Sequence, residues 1–326
     1  MKHPKVFVTR PIPQAGLNLL KRAGLRCAIS LRPEGLPRAE FLRRIRGMDG
    51  ILCLLTDRFD AQAMDAAGAG LKVLSNHAVG YDNIDVPAAT QRGILVANTP
   101  GVLTETTAEM AWALLFAVAR RIVESDRYTR SGQFKFWNPM LFHGHDVSGK
   151  TLGIVGAGRI GSAVARMASG FSMKILYHSR SPNAAMESKT GARKVNLPAL
   201  LAQSDFISVH VPMTPQTRHL IGAKELARMK PNAILINTAR GPIVDENALV
   251  QALRKKLIAG AGLDVYEREP KLARGLAALP NAVLTPHTAS ATVETRDKMA
   301  MLAAENLVLA LRGKRPRHCV NPEAFR

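Results

Sequence analysis

The sequence predicts an α/β protein built from parallel sheets. Short apolar runs typical of strands alternate with helical patterns along most of the 326 residues, as expected where crossover helices join parallel strands. A chain of this length is expected to form about two domains. The hydrophobic fraction of 47% and the charged fraction of 21% are those of a globular protein and exclude disordered and fibrous classes.

The predicted elements are separated by polar, glycine or proline residues. In the first part of the chain they are strands at 6–9, 50–55 and 71–77 and helices at 14–23 and 86–92. One long helix is predicted over 105–130, where small and apolar residues cluster in a helical pattern. The remaining strands are predicted at 151–155, 173–180, 204–212, 233–241, 258–265 and 282–287, and a last helix at 292–312.

A glycine-rich turn follows the strand TLGIV. Residues 156–161 read G-A-G-R-I-G and open the helix SAVARMA, the context in which a G-x-G-x-x-G motif indicates a dinucleotide site. Gly156 permits the tight turn, Gly158 lets the backbone approach a pyrophosphate, and Gly161 lets the helix pack on the strand. The pyrophosphate would bind at the helix N-terminus. A glycine turn without a ligand is the alternative.

The next strand predicts which dinucleotide binds. NAD sites usually place an acidic residue about 20 positions further on, where it binds the ribose 2′-hydroxyl. Here Ser179 occupies that place and is followed by Arg180 and Ser181. A hydroxyl and a guanidinium suit a 2′-phosphate, so the sequence predicts a preference for NADPH over NADH. The alternative is a permissive site beside a surface arginine, which would accept NADH as well.

Three titratable residues, Arg240, Glu269 and His287, lie at or just after predicted strand ends. Reduction of a 2-oxo acid needs a cation for the carboxylate, a proton donor for the carbonyl oxygen, and a group that keeps the donor protonated. Arginine, histidine and a neighbouring carboxylate supply these in turn. Each residue alone would more often be structural. Their occurrence together after a dinucleotide motif predicts a catalytic site.

Six ordered blocks resemble the signature segments of the D-isomer-specific 2-hydroxyacid dehydrogenase family, over roughly residues 5–322. The blocks are SNHAVGYDNIDV (75–86), NTPGVLTETTAEMAW (98–112), VGAGRIGSAVA (155–165), INTARGPIVDENAL (236–249), AGAGLDVYEREP (259–270) and LTPHTASAT (284–292). Within the family the sequence is most similar to the glyoxylate/hydroxypyruvate reductases. The resemblance implies reduction of one of these small 2-oxo acids to the D-2-hydroxy acid. Alternatives are 2-ketogluconate, another D-2-hydroxyacid including the phosphoglycerate type, or, in another class, a dinucleotide-sensing transcriptional co-repressor.

The resemblance also implies residue roles. His287 would be the acid/base paired with Glu269, and Arg240 would anchor the substrate. The backbone of Val79 and Gly80 would bind the substrate carboxylate and Leu54 would wall the pocket, with an ordinary turn and a core strand as the respective alternatives. Further cofactor-lining residues would be Thr107, Arg159, Ile160, Pro212, Thr217, Thr238, Ala239, Asp264 and Ala289.

Asp264 has an alternative role, and Ala289 departs from the family pattern. Asp264 would accept a hydrogen bond from the nicotinamide carboxamide, or instead cap the end of a strand. Ala289 stands where the family more commonly has glycine, and its methyl would come close to the nicotinamide.

The family architecture implies two Rossmann-like or flavodoxin-like lobes with parallel sheets. A discontinuous substrate-binding lobe would comprise residues 1–103 and 291–326, and a central dinucleotide-binding lobe residues 104–290. The family is usually dimeric, so a homodimer with the long 105–130 helix in its interface is expected. Trp137 matches an aromatic residue that in relatives reaches the partner's active site, and a buried loop aromatic is the alternative.

Several partners and sites are predicted to be absent. The formal charge of +20 is spread along the chain, with 14 basic against 8 acidic residues in 1–100, 24 against 13 in 101–290 and 7 against 4 in 291–326, so no nucleic-acid partner is predicted. The longest apolar run, 111–119, is too short to span a membrane. Three distant cysteines and the short His143-Gly144-His145 motif predict neither disulfides nor a metal site. A cytoplasmic location is expected.

Overall fold

Residues 4–325 are described by a computed structural model, in which the strands form two parallel sheets. The chain divides into two compact units: unit 1 comprises Met1–Leu103 with Ala291–Arg326, and unit 2 comprises Thr104–Ser290. In both units helices alternate with strands along the chain. The predicted α/β class with parallel sheets is therefore confirmed.

Unit 1 has a five-stranded sheet in the order β2-β1-β3-β4-β5. Strands β3 and β4 consist of buried residues, as expected for central strands of a parallel sheet covered on both faces. The elements are β1 (Lys5–Val8), α1 (Gln14–Arg22), β2 (Arg26–Ile29), α2 (Arg38–Arg44), β3 (Gly50–Cys53), α3 (Ala61–Ala67), β4 (Val73–Asn76), α4 (Val86–Gln91) and β5 (Leu95–Ala97).

Unit 2 has a seven-stranded sheet in the order β12-β11-β10-β9-β6-β7-β8. Two helices, α5 (Thr104–Ala119) and α6 (Ile122–Arg130), precede it. The remaining elements are β6 (Thr151–Val155), α7 (Arg159–Ala168), β7 (Lys174–His178), α8 (Ala184–Thr190), β8 (Arg193–Lys194), α9 (Leu197–Gln203), β9 (Phe206–Val209), α10 (Ala223–Leu226), β10 (Ile234–Asn237), α11 (Glu246–Arg254), β11 (Gly260–Leu263) and β12 (Ala282–Leu284).

The last helix, α12 (Val293–Leu311), returns the chain to unit 1. The Thr292 side chain caps its first turn by accepting a hydrogen bond from Thr295 N. Ser75 of β4 donates from its hydroxyl to Ala303 O at 2.7 Å, which joins the helix to the sheet. At 19 residues it is the longest helix, and no helix within residues 4–325 is long and apolar enough to cross a membrane.

The strand order locates the edges at which ligands are expected. All strands of a parallel sheet end at the same edge, and ligands bind outside the carboxyl ends where the strand order reverses. In unit 2 the order reverses between β6 and β9, and in unit 1 between β1 and β3. Ligand-binding and catalytic residues are therefore expected in the loops after these strands.

The single helix predicted over 105–130 is wrong, because the chain forms two helices that break at Arg121. This residue has φ of 52°, in the left-handed region, which a right-handed helix cannot include. Its guanidinium pairs with Glu124 at 2.6 Å and lies 5.0 Å from the ring centroid of Phe142. These side-chain contacts hold the bend, and an apolar pattern alone does not reveal them.

Four elements of unit 1, β2, α2, α3 and β5, were not predicted. Strand β2 pairs only with β1 at the edge of the sheet, and its residues are exposed or half-buried, so it lacks the apolar run of a central strand. The two helices have seven residues each, which is too short for a clear period of 3.6.

Candidate active site

Most residues assigned to the cofactor and to catalysis follow strand ends at one edge of the unit 2 sheet, whereas Thr107 lies within α5 and is buried. Because the strands are parallel, the sheet brings their loops together at that edge. Gly156 follows β6, Ser179 follows β7, Pro212 follows β9, Arg240 follows β10, Asp264 follows β11 and His287 follows β12.

Gly156 and Gly161 have no room for a side chain. Gly156 has φ of 105°, and a Cβ on it would lie 2.7 Å from the carbonyl carbon of His210. A Cβ on Gly161 would lie 2.1 Å from the carbonyl oxygen of Gly156. Glycine at 161 therefore lets helix α7 approach the turn after β6, and glycine at 156 lets that turn approach the backbone after β9.

Gly158 differs from these two glycines because a Cβ on it would meet nothing within 4 Å. It is the N-cap of α7, and Arg159 and Ile160 are the first two residues of that helix. The leading N–H groups of a helix have no partner within the helix and favour an anion. Open space beside these N–H groups is what a pyrophosphate requires, so the turn fits a dinucleotide.

The loop after β7 begins with Ser179, as predicted, and no carboxylate occupies that first position. The Ser179 hydroxyl donates to Ser181 O at 2.5 Å. Arg180 is exposed, and its guanidinium has no hydrogen-bond or ion-pair partner among the residues described. The guanidinium is thus free to bind an anionic group.

Thr238, directly after β10, carries a polar atom that lacks a partner. The residue is 7% exposed, and its hydroxyl makes no hydrogen bond within residues 4–325. A buried polar atom without a partner costs about 1–3 kcal/mol, so a ligand group that pairs with it would be stabilising. The neighbouring loop after β9 is closed by Thr217, whose hydroxyl donates to Pro212 O at 2.7 Å. This donor set also fits a bound dinucleotide.

Asp264 is fully buried and organises the loop that carries His287. Its carboxylate accepts hydrogen bonds from Thr285 Oγ1 at 2.6 Å, Thr288 N at 2.8 Å and Ala289 N at 2.8 Å. Its backbone oxygen accepts from His287 N at 2.8 Å. The structure thus shows the capping role, and the contact of Asp264 with a carboxamide stays a prediction.

His287 and Glu269 form a hydrogen-bonded pair. Nδ1 of His287 lies 2.9 Å from Oε2 of Glu269, and Oε1 of Glu269 accepts from Tyr266 N at 3.0 Å. Partial burial raises the pKa of the Glu269 carboxyl, but the bond and charge of His287, the Tyr266 N–H and the charge of Arg240 together lower it below its usual value. Glu269 is therefore ionised at neutral pH. Because it contacts Nδ1 of His287, the other ring nitrogen, Nε2, remains available for proton transfer.

The backbone of His287 is strained, with φ of 55°. Few residues other than glycine adopt this left-handed region, and such strain persists only where the surroundings hold it. The His287 N–H donates to Asp264 O at 2.8 Å and to Thr285 O at 3.1 Å, which supplies that restraint. Strained residues cluster at functional sites, which agrees with a catalytic histidine.

Arg240 is half-buried at the end of β10, and its Nη1 donates to Ala239 O at 2.9 Å. A Cβ on the next residue, Gly241, would lie 1.8 Å from the carbonyl carbon of Tyr266, so the two backbone segments are in contact there. This close approach places the charge of Arg240 where it lowers the pKa of Glu269. The structure brings the three predicted catalytic residues together.

Glu246 supports this site, although the sequence did not single it out. It is 4% exposed at the start of α11, where Oε1 accepts from Glu267 N at 2.8 Å and Oε2 accepts from Ala273 N at 3.1 Å. These bonds fix the loop on both sides of Glu269. Burial raises the pKa of the Glu246 carboxyl, although the two N–H groups oppose this. In the sequence it resembles any acidic residue in the first turn of a helix.

In unit 1 the loop after β4 presents backbone N–H groups. The carbonyl oxygens of residues 78–80 accept, in order, from Thr99 N at 2.9 Å, Asn98 Nδ2 at 2.8 Å and Asn76 Nδ2 at 2.8 Å. The N–H groups of residues 78–81 have no acceptor within the described part of the chain. Four consecutive N–H groups without an acceptor, here called the amide nest, can donate hydrogen bonds to an anion. This amide nest supports the predicted carboxylate site at Val79 and Gly80.

Asn83 links the amide nest to the loop that carries Leu54. Its Nδ2 donates to Leu54 O at 3.1 Å and to Asp57 O at 3.0 Å, and its Oδ1 accepts from Asn76 Nδ2 at 3.2 Å. Leu54 is half-buried and lies just after β3, which ends at Cys53. It therefore follows the strand and packs against the core of unit 1, and its place in a substrate pocket stays a prediction.

Trp137 lies between α6 and β6 and is 78% exposed in this chain. The alternative of a buried loop aromatic is therefore wrong. Phe136 and Met140 in the same segment are 72% and 73% exposed. Contact of Trp137 with a partner subunit stays a prediction.

His143 and His145 show no arrangement of a metal site. Nε2 of His143 lies 2.6 Å from Pro139 O, and within residues 4–325 no group of three or more His, Cys, Asp or Glu side chains could hold a metal ion. The cysteines at 27, 53 and 319 are free thiols. The cytoplasmic location stays a prediction.

A family model described as D-isomer specific 2-hydroxyacid dehydrogenase, NAD binding domain, matches residues 112–289. A glyoxylate reductase of Thermococcus litoralis is 50% identical over 326 residues, covering 99% of this chain and 98% of the relative. The crystal structure of a Thermus thermophilus protein is 47% identical, with a TM-score of 0.90 and coverage of 97% and 99%. An NADPH-dependent glyoxylate/hydroxypyruvate reductase of Sinorhizobium meliloti, solved with NADP and malonate, is 34% identical, with a TM-score of 0.88 and coverage of 100% and 99%.

The fold and the site define an oxidoreductase that binds a nicotinamide dinucleotide. The chain belongs to the D-isomer specific 2-hydroxyacid dehydrogenase family, as the sequence blocks predicted. Its reaction is the reduction of a 2-oxo acid to a 2-hydroxy acid.

Proposed function

We propose that the protein reduces glyoxylate or hydroxypyruvate to the D-2-hydroxy acid, with NADPH as its preferred cofactor. The observation that carries the proposal is the 2.9 Å His287–Glu269 pair, which shares its sheet edge with Arg240 and the glycine turn. The names of the Thermococcus and Sinorhizobium relatives support the same substrates. Residues 104–290 would be the dinucleotide-binding domain, and residues 1–103 with 291–326 the substrate-binding domain.

Each residue has a separate task in the proposed mechanism. The bound nicotinamide supplies the hydride for the carbonyl carbon. Arg240 binds the substrate carboxylate through two N–H groups of its planar fork. Within unit 1, the amides at Val79 and Gly80 are proposed as donors to a carboxylate. His287 donates a proton from Nε2 to the carbonyl oxygen as it becomes an alkoxide. Glu269 accepts a hydrogen bond from Nδ1 and so fixes the orientation of the His287 ring.

The preference for NADPH is supported by the loop after β7. Among the residues described, the exposed guanidinium of Arg180 has no partner, and Ser179 and Ser181 flank it with hydroxyl groups. A 2′-phosphate would gain charge-assisted hydrogen bonds there, whereas a ribose hydroxyl finds no carboxylate acceptor at the first position of the loop.

An assay at 340 nm tests both parts of the proposal. With glyoxylate and hydroxypyruvate, we expect kcat/KM to be about tenfold to a hundredfold higher with NADPH than with NADH, the value of one or two hydrogen bonds to a charged group. Arg180→Ala should reduce this ratio at least tenfold, whereas Arg193→Ala, at an exposed arginine on β8, should leave it unchanged.

A clear preference of the wild-type enzyme for NADH would contradict the cofactor proposal alone. Faster turnover of 2-ketogluconate or of the phosphoglycerate-type 2-oxo acid than of either proposed substrate would contradict the substrate proposal.

A homodimer is proposed on the basis of the segment between α6 and β6. Phe134, Phe136, Trp137 and Met140 are 54%, 72%, 78% and 73% exposed, and contiguous apolar surface of this kind usually marks a protein interface. We expect light scattering to give twice the chain mass of 35.3 kDa. Trp137→Ser should shift the equilibrium toward monomer, and a monomeric wild-type protein would contradict the proposal.

A further inference from the structure

The segment that carries Glu269 has little to hold it in place from within. Residues 268–272 are all exposed, so burial does not anchor them to the core of unit 2. Lys271 N donates to Arg268 O at 2.8 Å, which closes a turn but ties the segment only to itself. Nevertheless Oε2 of Glu269 lies 2.9 Å from Nδ1 of His287. A short distance of this kind at an exposed segment requires support from outside the segment.

Glu246 supplies support on both sides of Glu269. Its Oε1 accepts a hydrogen bond from Glu267 N at 2.8 Å, and its Oε2 accepts one from Ala273 N at 3.1 Å. Glu246 is 4% exposed and is the first residue of α11, a helix whose apolar residues pack into the core of unit 2. One carboxylate on a firmly packed helix thus binds both ends of the exposed segment.

A carboxylate in the first turn of a helix often serves that helix, but Glu246 does not cap α11. The N-cap is Asp245, whose side chain accepts a hydrogen bond from Ala248 N at 3.0 Å. Both oxygens of Glu246 instead bind N–H groups that belong to the segment around Glu269. The needs of the helix therefore do not explain why this carboxylate is buried.

The charge of Glu246 is unfavourable at this position. Burial raises the pKa of its carboxyl, the two N–H groups oppose this rise, and the charges of Glu267 and Glu269 add to it. A glutamine side chain would avoid these costs, but it has one acceptor oxygen, and its NH₂ group would face the second N–H. A carboxylate has an acceptor for each of the two N–H groups. The two hydrogen bonds thus explain why a third acidic side chain lies close to this pair.

We propose that Glu246 is a positioning residue, which holds Glu269 against His287 by binding both ends of the segment between them in the chain, residues 267–273. The inference rests on the proposed function, since it requires the His287–Glu269 pair to act in the reduction. Both oxygens of Glu246 bind backbone N–H groups, so its effect on the reaction passes through Glu269. That effect should disappear when Glu269 itself is replaced.

The test is a double-mutant cycle on kcat for glyoxylate, in which Glu246→Gln is made in the wild type and in Glu269→Gln. Alone, Glu246→Gln should lower kcat about tenfold, since misplacing a group by about 1 Å can cost up to about a hundredfold. Glu269→Gln should lower kcat at least as much. In the Glu269→Gln background, Glu246→Gln should lower kcat by about twofold or less, because the effects of residues that act as one unit do not add.

Glu225→Gln is the matched control, because it makes the same change at the start of α10, where the carboxylate accepts from Gly222 N at 3.1 Å. It should leave kcat unchanged in both backgrounds. A loss from Glu246→Gln that is equal in the two backgrounds would overturn the inference, since general damage to the fold lowers both values alike. An unchanged kcat in Glu246→Gln would overturn it as well.

If Glu246→Gln does not fold, Glu246→Asp takes its place in the cycle. Aspartate keeps two acceptor oxygens on a side chain that is one carbon shorter, so we expect a smaller loss of kcat with the same coupling to Glu269→Gln. The absence of coupling would overturn the inference. An unchanged kcat in Glu269→Gln alone would instead contradict the proposed function of the His287–Glu269 pair, and the inference with it.

Discussion

Replacing His287 with asparagine is expected to lower kcat for 2-oxo acid reduction by a factor of about 10²–10⁴, the usual contribution of a positioned proton donor. Asparagine is chosen because it tolerates the left-handed backbone, with φ of 55°, better than alanine. Its amide cannot donate a proton to an alkoxide near neutral pH. The loss should therefore report proton transfer rather than backbone strain.

His219 provides a matched control for this experiment. It also has a left-handed backbone, with φ of 51°, and its Nε2 lies 2.8 Å from a carboxylate oxygen of Glu267. His219→Asn removes a similar pair in the same unit and should leave kcat within about threefold. Steady-state kcat at 340 nm is the measurement, with NADPH affinity followed by its fluorescence. Near-wild-type turnover of His287→Asn would contradict the catalytic role.

Replacing Arg240 with lysine should lower kcat/KM for the 2-oxo acid by a factor of about 10²–10³. A guanidinium binds a carboxylate with two parallel N–H groups, and an ammonium preserves the charge without the fork. Hydrogen bonds to charged groups contribute about 1.5–3 kcal/mol each, so losing one or two of them accounts for the expected factor. Most of the loss should appear in the kinetic constants for the 2-oxo acid, and the KM for NADPH should change little.

Arg254→Lys is the control for this change, since it makes the same substitution at the exposed end of α11. It should leave kcat/KM unchanged. Equal values for Arg240→Lys and wild type would show that a point charge suffices and would contradict bidentate binding. A loss confined to the KM for NADPH would instead assign Arg240 to the cofactor.

The position of the proposed catalytic residues at one edge of the unit 2 sheet could be predicted because its signals are local. Each of Arg240, Asp264 and His287 follows an apolar run that becomes a strand, and parallel strands bring their ends together without further information. The glycine turn is also local, since its residues lie within six positions of one another.

The break at Arg121 shows where local patterns are insufficient. After two arginines, Ile122, Val123 and Tyr128 resume the apolar pattern, so the helical period alone does not predict an end at position 119. The left-handed residue is held by Glu124 and by the ring of Phe142, which lies in a later loop. A contact of this kind exists only after the chain has folded.

By itself, the sequence determined the α/β class, the dinucleotide turn and the residues that stand at the strand ends. These follow from periodicity and spacing over a few neighbouring residues. The tertiary structure decided which groups support them: Glu246 binds N–H groups 21 and 27 residues away, and Asn98 binds the carbonyl of Val79 across 19 residues. It also decided that the His77 ring is buried with no hydrogen-bond partner among residues 4–325. Such roles depend on burial and on partners distant in the chain, which no local pattern encodes.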